Sequence, residues 1–458
     1  MKKLIPVIAA LCLCAAAQAQ EKEDVQFNQY GVQVDVDDLS AEAQDGILVF
    51  RSKSGSGYKL WLDNRVQADG AVFFGAPDYA DKIGNGVSIR RARFAVKGQV
   101  NDKWYGEVDM DMANGVFELK DAIIRYDGIP NMQIQVGNFK EFFSIQRNNS
   151  SRYLQFMERP MITQALAPSR HLGVNAKWSK NWLWLSGGVF FQTIDNLETR
   201  TYVEDANKDY GMNAGKSYTA KAVFMPGWNQ PDWGLHIAVA GSYREPKVDD
   251  ENASTSGVPS VRFSTRNSNS INRKKYIDTD ELKNVDHDLL YTAELAGYWK
   301  GLRWEGAYMA DRNYQTDMVR ASHLWGWYAQ AGYLLFGGRQ RYDSNGAKFT
   351  RVQRGRDWGD VELCLRYEYI DFNDPQILAG AAQAFALGLN YYINDHCKIM
   401  VNYQFNDNDR YANGKGNKLY VGLDEAGKPT KDYTKVVAES GKAGVDYSML
   451  AVRMEIDF

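Results

Sequence analysis

The side chains of this sequence best suited to binding chemistry are arginines and lysines gathered in two stretches. Residues 90–97 read RRARFAVK and hold four basic side chains: Arg90, Arg91, Arg93 and Lys97. Residues 140–171 set six basic or titratable side chains against only Glu141 and Glu158, namely Lys140, Arg147, Arg152, Arg159, Arg170 and His171. A guanidinium offers planar paired donors that match an oxyanion and stays charged at any relevant pH. Both stretches are candidate anion sites, although any single arginine could equally form a salt bridge in the wall of the fold.

Catalytic and metal-binding patterns do not occur in the sequence. There is no Gly-x-Ser-x-Gly elbow, and the five histidines are scattered without metal-ligand spacing or an acidic partner. The run Gly414-Lys415-Gly416 lacks the third glycine and the strand–helix context of a phosphate-binding loop. We therefore expect no enzyme activity, no metal and no cofactor.

The basic stretch at residues 90–97 belongs to an amphipathic hairpin over residues 87–112. One face of its first half is apolar and the other is charged, because strand side chains alternate with a period of two. After the turn residues Asn101 and Asp102 the alternation resumes, with Glu107, Asp109 and Asp111 on the charged face. The pattern predicts two antiparallel strands.

The same alternation recurs along the chain and predicts about sixteen strands. The first three cover residues 58–74 and the hairpin, and the others cover 117–127, 132–139, 172–179, 182–192, 218–225, 233–244, 288–300, 302–311, 323–336, 358–371, 384–393, 397–406 and 446–458. An even number of strands that are apolar on one face and charged on the other is typical of a bacterial transmembrane barrel. In hydrocarbon every backbone polar group must be paired, so such a sheet has to close. The predicted fold is all-β, a transmembrane antiparallel β-barrel of about 16 strands around an aqueous lumen.

The N-terminus reads as an export signal. Lys2 and Lys3 precede an apolar run and the small-residue site Ala17-Gln18-Ala19, and the run is shorter than the roughly 20 residues of a membrane-spanning helix. We predict a signal peptide at 1–19, a periplasmic extension at 20–57 with room for a small hairpin, and the barrel at 58–458. Two of the four cysteines leave with the leader. Cys364 and Cys397 are predicted on opposite strand faces and should be free thiols.

The connections between predicted strands are short at one end and long at the other, as in a barrel inserted from the periplasm. The short set is 101–102, 127–130, 180–181, 226–232, 300–301 and 394–396, with 337–357 as an exception, and the long set includes 140–171, 193–215, 245–287 and 407–445. Nine aromatic residues lie near the short turns, where a headgroup-level belt is expected: Trp104, Trp178, Trp182, Trp228, Trp233, Trp299, Trp304, Tyr391 and Tyr392. The last strand is strictly amphipathic and ends on Phe458.

Residues 140–171 form the third long loop and contain more large apolar side chains than a solvent-exposed loop would carry. The apolar side chains are Phe142, Phe143, Ile145, Leu154, Phe156, Met157, Met161 and Ile162. We predict that this loop folds inward against the barrel wall and narrows the lumen. The alternative is an extracellular plug that packs against neighbouring subunits.

Several motifs in order resemble the phosphate-selective porin O and P family. They are RRARF at 90–94, LKDAIIRYDG at 119–128, VGNFKEFFS at 136–144, FMERP and APSRHLGV within 156–174, GLNYYINDH from Gly388, and the closing strand. The resemblance covers most of the chain after the leader. It implies a trimer of sixteen-stranded barrels whose lumenal arginines lead anions to a basic constriction.

The resemblance also implies which residues bind anions. The matching positions are Arg90, Arg91, Arg93, Asp121 and Lys140, with the arginines of residues 140–171 matched less closely. Asp121 could weaken anion binding, which a channel needs because an ion held too tightly does not leave. Alternation places Arg91 and Arg93 inside the barrel, whereas Arg90 would face outward unless the strand is bulged.

Several carboxylates are predicted on the lumenal face, which a purely basic channel would not contain. Glu107, Asp109, Asp111, Glu362 and Glu368 are all predicted to face inward, where they could pair with the arginines across the wall or lower the preference for anions. The formal charge of the whole chain is −3, too mild to indicate nucleic acid.

The function predicted from the sequence is passive diffusion of small solutes through an outer-membrane porin of a Gram-negative cell. The expected partners are small inorganic anions such as phosphate or polyphosphate, outer-membrane lipid and two further copies of the chain. Two alternatives stay open: a non-selective or cation-tolerant diffusion porin, and a structural or adhesive barrel whose long loops bind an external partner.

Overall fold

The computed structural model describes residues 26–34, 36–44, 46–191, 193–194, 215–246, 258–411, 418–437 and 443–458. The predicted signal peptide at 1–19 lies outside these residues, as do most of the long loop at 193–215 and parts of the loops at 245–287 and 407–445. Among the described residues, no helix has both the length and the apolar character to cross a membrane.

Sixteen antiparallel strands close into a barrel in which each strand pairs with its neighbours in sequence, and β16 pairs with β1 from Ser448↔Phe74 to Asp457↔Arg65. Because the barrel is closed, the backbone N–H and C=O groups of β1 and β16 are hydrogen-bonded to each other. Within the hydrocarbon of a membrane no water is present to bond them. The strands are β1 Lys59–Phe74, β2 Gly86–Asn101, β3 Trp104–Asp111, β4 Glu118–Ile129, β5 Met132–Lys140, β6 Arg170–Lys180, β7 Leu183–Phe190, β8 Lys216–Phe224, β9 Trp233–Glu245, β10 Val285–Trp299, β11 Leu302–Gln315, β12 Ser322–Leu334, β13 Asp360–Asp374, β14 Ile377–Tyr392, β15 Cys397–Asn408 and β16 Tyr447–Asp457.

Alternation along the strands sorts the side chains between two environments. On β16, Leu450, Val452, Met454 and Ile456 are exposed on the outside, whereas Arg453 on the inner face is buried. A folded water-soluble protein rarely exposes such a continuous apolar surface, but lipid tails solvate it. The predicted sixteen-stranded barrel is confirmed, and so is its division into an apolar outer and a charged inner face.

Tryptophans near the short turns lie on the outer face. Trp104, Trp182, Trp228, Trp233 and Trp299 are all exposed there, at the level expected for a lipid headgroup belt. The prediction is wrong for Tyr392, whose hydroxyl donates to Glu362 in the interior at 2.7 Å. Because adjacent strand residues face opposite sides, Tyr391 and Tyr392 cannot both point outward.

The N-terminal extension carries a hairpin that joins the barrel sheet. Its strands, Leu39–Gln44 and Ile47–Ser52, pair with each other, and the second pairs with β1 from Val49↔Trp61 to Arg51↔Lys59. The first residues of β1 therefore pair with the hairpin and its later residues pair with β16. A separate pair of two-residue strands, Gln26–Phe27 and Gln33–Val34, precedes the hairpin.

Helices are few and short in the described part of the chain. Two α-helices, α1 Ile145–Asn148 and α2 Met161–Ala165, and three 3₁₀ turns, Ala113–Gly115, Ser151–Tyr153 and Tyr433–Lys435, lie in connections. The connections also hold four small hairpin pairs: Ser260–Val261 with Leu282–Lys283, Ser264–Thr265 with Ile277–Asp278, Tyr342–Asp343 with Lys348–Phe349, and Gly422–Leu423 with Pro429–Thr430. Cys364 is buried, Cys397 is half-buried, and both are free thiols as predicted.

Candidate functional site

The loop between β5 and β6 crosses the interior of the barrel. The backbone N–H of Ile145 donates to Glu294 on β10 at 2.7 Å, and that of Met157 donates to Asn402 on β15 at 2.8 Å. The side-chain amide of Gln155 donates to Glu362 on β13 at 2.8 Å. These partners face inward from strands on different sides of the barrel, so the loop is held by the far wall as well as by its own strands.

Apolar burial explains why the loop lies inside. Phe143, Met161 and Ile162 are almost completely buried in a cluster with inner-face residues of the wall such as Met309 and Tyr328. Burying side chains of this size contributes roughly 1.5–3 kcal/mol each. An extended loop in solvent would lose that contribution.

Arg90 reaches the lumen through a bulge in β2. In the β1–β2 register, Gln67 pairs with Arg91 and the next residue, Ala68, pairs with Ile89, so Arg90 is the extra residue. A bulge adds one residue to the strand, so Arg90 and Arg91 can both face inward, and the alternation before them shifts so that Val87 and Ile89 face outward. Arg90 Nε lies 2.7 Å from the Glu158 carboxylate of the loop.

Several predicted site residues are ion-paired in the wall. Arg93 contacts Asp109 at 3.2 Å and Asp111 at 3.1 Å, and Lys97 contacts Asp63 at 2.6 Å and Glu107 at 3.4 Å. The acids of β3 are therefore matched by bases of β2 along the strand pair. These ion pairs explain why the lumenal face of β3 carries acidic residues: their charge is balanced by the neighbouring bases of β2.

Two loop-associated arginines are paired in the same way. Arg170 forms a two-point contact with Asp121, at 3.0 Å from Nε and 2.5 Å from Nη2. Arg152 lies 2.7 Å from Asp457 and also contacts Asp63. The carboxylate of Asp121 thus lies beside a base.

Some basic groups beside the loop have no carboxylate within 4.0 Å among the described residues, and five of them are Arg65, Arg91, Lys140, Arg147 and Arg159. Arg91 donates to the Gln67 amide at 2.6 Å, and Arg159 donates to the carbonyls of Gln146 at 2.6 Å and Asn149 at 3.0 Å. Neutral acceptors position these guanidinium groups without cancelling their charge. Four of the five are predicted site residues, and Arg65 is an addition.

Arg147 and Glu158 of the loop keep their charge at neutral pH despite burial. Burial, followed by repulsion from Arg170, lowers the pKa of Arg147 to about 10, which still leaves it protonated. For Glu158, burial would raise the pKa, but Arg90, Arg91 and Arg453 together hold it well below its usual value. Burial, followed by repulsion from Arg147, also lowers the pKa of Arg159. The loop therefore combines a protonated Arg147 with a firmly ionised Glu158.

Two adjoining cavities lie between the loop and the wall formed by β1 to β6. The larger, with a volume of about 420 Å³, is lined by ten basic and three acidic side chains: Arg65, Arg90, Arg91, Arg93, Lys120, Lys140, Arg147, Arg159, Arg170 and Arg273 against Asp111, Glu118 and Glu158. The smaller, about 250 Å³, is more balanced, with seven basic and four acidic side chains: Arg65, Arg93, Lys97, Lys140, Arg152, Arg170 and Lys348 against Asp63, Glu107, Asp109 and Asp121. All ten predicted site residues line one or both cavities.

Sequence reasoning missed Arg65 and the paired Arg453. Arg65 lines both cavities and donates to Ser150 of the loop at 3.2 Å. Arg453 binds Asp69 at 2.6 Å and Glu158 at 2.9 Å. Alternation places both on the inner face. Arg65 lies in register beside Arg93 of the adjacent strand β2, whereas Arg453 reaches this wall only through the pairing of β16 with β1.

The exceptional turn at residues 337–357 also enters the interior. Asn345 accepts hydrogen bonds at 3.0 Å from Lys177 and from the Trp184 indole, and Phe349 N donates to Asn149 of the loop at 2.9 Å. The sequence shows the unusual length of this turn but not its direction. The lumen is therefore narrowed from both ends.

One group of carboxylates, Glu107, Asp109 and Asp121, brings its oxygens within 4.8 Å of one another. Arg93, Lys97 and Arg170 already pair with these acids. Their charge is neutralised by the protein, so the group carries no metal assignment.

A closed barrel that is apolar outside, charged inside and narrowed by an inward loop defines a channel protein of the bacterial outer membrane. The family model for phosphate-selective porin O and P matches residues 61–423. The chain belongs to that family, and it is an outer-membrane channel for small solutes in a Gram-negative cell.

Individual relatives agree with this assignment. Porin O of Pseudomonas aeruginosa is 24% identical over 445 residues, which cover 90% of this chain and 94% of the relative. An uncharacterized protein of Caulobacter vibrioides is 26% identical over 407 residues, 86% of this chain and 73% of the relative. Among solved structures, an anion-selective porin from Comamonas acidovorans superposes with a TM-score of 0.50 at 10% identity, covering 88% of this chain and 100% of that one, and shares the fold.

Proposed function

We propose that the channel is selective for small anions, with phosphate and related oxyanions as its preferred solutes. The proposal rests mainly on the larger cavity, where ten basic side chains face three acidic ones. Such an excess concentrates anions in a narrow aqueous space. The family description, phosphate-selective porin O and P, points in the same direction.

The unpaired groups are the proposed binding positions. Arg65, Arg91, Lys140, Arg147 and Arg159 have no described carboxylate to displace, so an oxyanion can approach them without breaking an ion pair. The paired residues Arg90, Arg93, Lys97, Arg152 and Arg170 would set the background potential, and Asp121 would keep affinity low enough for release. In this proposal the loop between β5 and β6 forms the constriction.

A matched pair of lysine variants tests the assignment. Lys140 has no described carboxylate within 4.0 Å, whereas Lys97 contacts Asp63 at 2.6 Å and Glu107 at 3.4 Å. In planar bilayers with chloride as the current carrier, phosphate should block the wild-type channel. Lys140→Gln should weaken that block about tenfold, since a charge-assisted hydrogen bond contributes roughly 1.5–3 kcal/mol. Lys97→Gln should change it much less.

The zero-current potential across a KCl gradient gives the ion preference directly. A wild-type channel that prefers potassium, or two variants with equal effects on phosphate block, would contradict the proposal. The first result would favour a cation-tolerant diffusion porin, which the balanced smaller cavity could support.

The proposed assembly is a homotrimer, as the family resemblance implies. Light scattering of the detergent-solubilised protein should give the mass of three mature chains after subtraction of the detergent mass, each somewhat lighter than the 51.9 kDa of the full sequence because the predicted signal peptide is removed. A monomer at micromolar concentration would refute this part of the proposal.

A further inference from the structure

Four oxygen-bearing side chains lie together on the inner face of three adjacent strands, near the long-loop end of the barrel. They are Asp288 on β10, Asp311 and Asn313 on β11, and Ser322 on β12. Asn313 pairs in register with Asp288 on one side and with Ser322 on the other. Asp311 lies two residues earlier on the same face of β11, diagonal to Asp288.

The four side chains are buried, with 3% exposure for Asp288, 0% for Asp311, 0% for Asn313 and 1% for Ser322. Neither carboxylate oxygen of Asp311 has a hydrogen-bond partner among the described residues, and the same holds for Asn313 Oδ1 and Ser322 Oγ. In register, Asp311 is flanked by Leu290 and Leu324, which offer it no donor. A buried carboxylate left in this state would be strongly destabilising.

The described residues do not supply the missing positive charge. Arg244 lies in register beside Asp288. Its guanidinium donates to both oxygens of Glu141 at 3.0 and 2.9 Å, so its charge is already matched. The two aspartates therefore leave an excess of two negative charges beside four acceptor oxygens that lack donors.

We propose that Asp288, Asp311, Asn313 and Ser322 form a calcium site that ties β10, β11 and β12 together on the inner wall. A divalent cation balances two carboxylates, and it satisfies the carboxylate, amide and hydroxyl oxygens at once. The amide of Asn313 donates from Nδ2 to Asp288 Oδ1 at 2.6 Å, which leaves its oxygen free as a ligand. Calcium accepts an irregular set of six to eight oxygens, whereas magnesium demands a near-ideal octahedron.

A shared proton is the competing explanation, and the geometry argues against it. One proton on Asp311 would satisfy one oxygen and leave the Asn313 and Ser322 oxygens without partners. The site also differs from the acidic group on β3 and β4, whose carboxylates face Arg93, Lys97 and Arg170.

Calcium binding is tested on the full chain refolded without lipopolysaccharide, stripped with EDTA and studied in detergent. Isothermal titration with CaCl₂ at neutral pH should show one ion per chain, and calcium should raise the unfolding temperature. Asp311→Asn should weaken binding at least tenfold and abolish the temperature shift. Asp409→Asn is the control, because the Asp409 carboxylate accepts from Asn373 at 2.7 Å and Tyr411 at 3.0 Å and should not bind calcium.

Ser322→Ala removes only one hydroxyl and keeps the test decisive if Asp311→Asn fails to fold. It should lower calcium affinity several-fold in a barrel that still migrates as folded on unheated gels. Absence of saturable binding to the wild-type chain, or wild-type affinity in both site variants, would overturn the proposal. So would a wild-type stability indifferent to calcium. The ion selectivity of the pore does not enter any of these measurements.

Discussion

At the residue scale, the buried arginine Arg453 joins the closing strand to the inward loop. Its guanidinium binds Asp69 of β1 at 2.6 Å and Glu158 of the loop at 2.9 Å, and it also donates to the Met157 carbonyl. All three charged groups are buried. Such a network stabilises only while it is complete, because removing one member leaves an uncompensated charge.

Arg453→Met should therefore destabilise the barrel by about 3–5 kcal/mol, the usual cost of breaking a buried ion pair. Urea unfolding in detergent, followed by tryptophan fluorescence, measures the change. Arg339→Met is the control, since Arg339 pairs with Asp232 where the two side chains are 47% and 40% exposed. The control should change stability by less than about 1 kcal/mol, and equal effects would show that Arg453 acts as an ordinary surface arginine.

A glycine in the wall allows β5 to lie close to β4. Gly137 has a φ of 131°, and a Cβ there would meet the Ala122 carbonyl oxygen at 1.9 Å. Gly137→Ala should lower the yield of folded barrel and its unfolding temperature, because both the backbone conformation and the space exclude a side chain. Gly187→Ala on β7, where a Cβ would meet nothing within 4 Å, should leave both measurements unchanged. A fully folded, equally stable Gly137→Ala protein would contradict this account.

At the element scale, the loop between β5 and β6 is held partly by ionic contacts that depend on pH. Glu158 keeps a pKa well below 4.5, since Arg90, Arg91 and Arg453 outweigh the effect of burial. A carboxylate whose pKa is lower in the folded state adds stability that is complete above the unfolded pKa and is lost as pH falls through the folded value. The loss from this group therefore lies below about pH 4.5.

Urea midpoints measured from neutral pH down to about pH 3 should fall less steeply for Glu158→Gln than for the wild-type chain, because the variant has no proton to take up at this position. Glu118→Gln, at a 52% exposed side chain paired with Lys120, serves as the control and should follow the wild-type curve. If Glu158→Gln and wild type have parallel curves, the loop is not held through this carboxylate.

The sequence predicts the strands of the wall far better than the segments that fill it. Each strand faces lipid on one side and water or charge on the other, so a period of two marks it locally. The sequence only suggests the bulge at Arg90. Two adjacent arginines cannot both face inward on a regular strand, so the pattern alone does not show which way Arg90 points. Arg65 binds Ser150 of the loop, and Arg453 binds Asp69 through the contact between the two ends of the chain. Both partners are distant in sequence, so no local pattern reveals them.

At the scale of the whole molecule, the barrel is narrowed by segments from both ends. The loop between β5 and β6 enters from the long-loop end and the turn at 337–357 from the short-turn end, and they meet where Phe349 N donates to Asn149 at 2.9 Å. The direction of that turn follows from tertiary packing: Tyr342 and Phe349 pack with Tyr298 in the interior. Turn length alone could not have indicated this.

Replacing residues 342–349 by two glycines should enlarge the pore and raise its single-channel conductance, since the side chains of Tyr342 and Phe349 leave the interior. Anion preference should fall only slightly, because the basic cavity is lined mainly by β2, β5, β6 and the long loop. Deleting residues 26–34, whose short strands pair only with each other, is the control and should leave conductance unchanged. If the shortened-turn protein has the conductance of the wild type, ions do not pass beside this turn. If it loses its anion preference completely, the selective groups lie in the turn and not on the opposite wall.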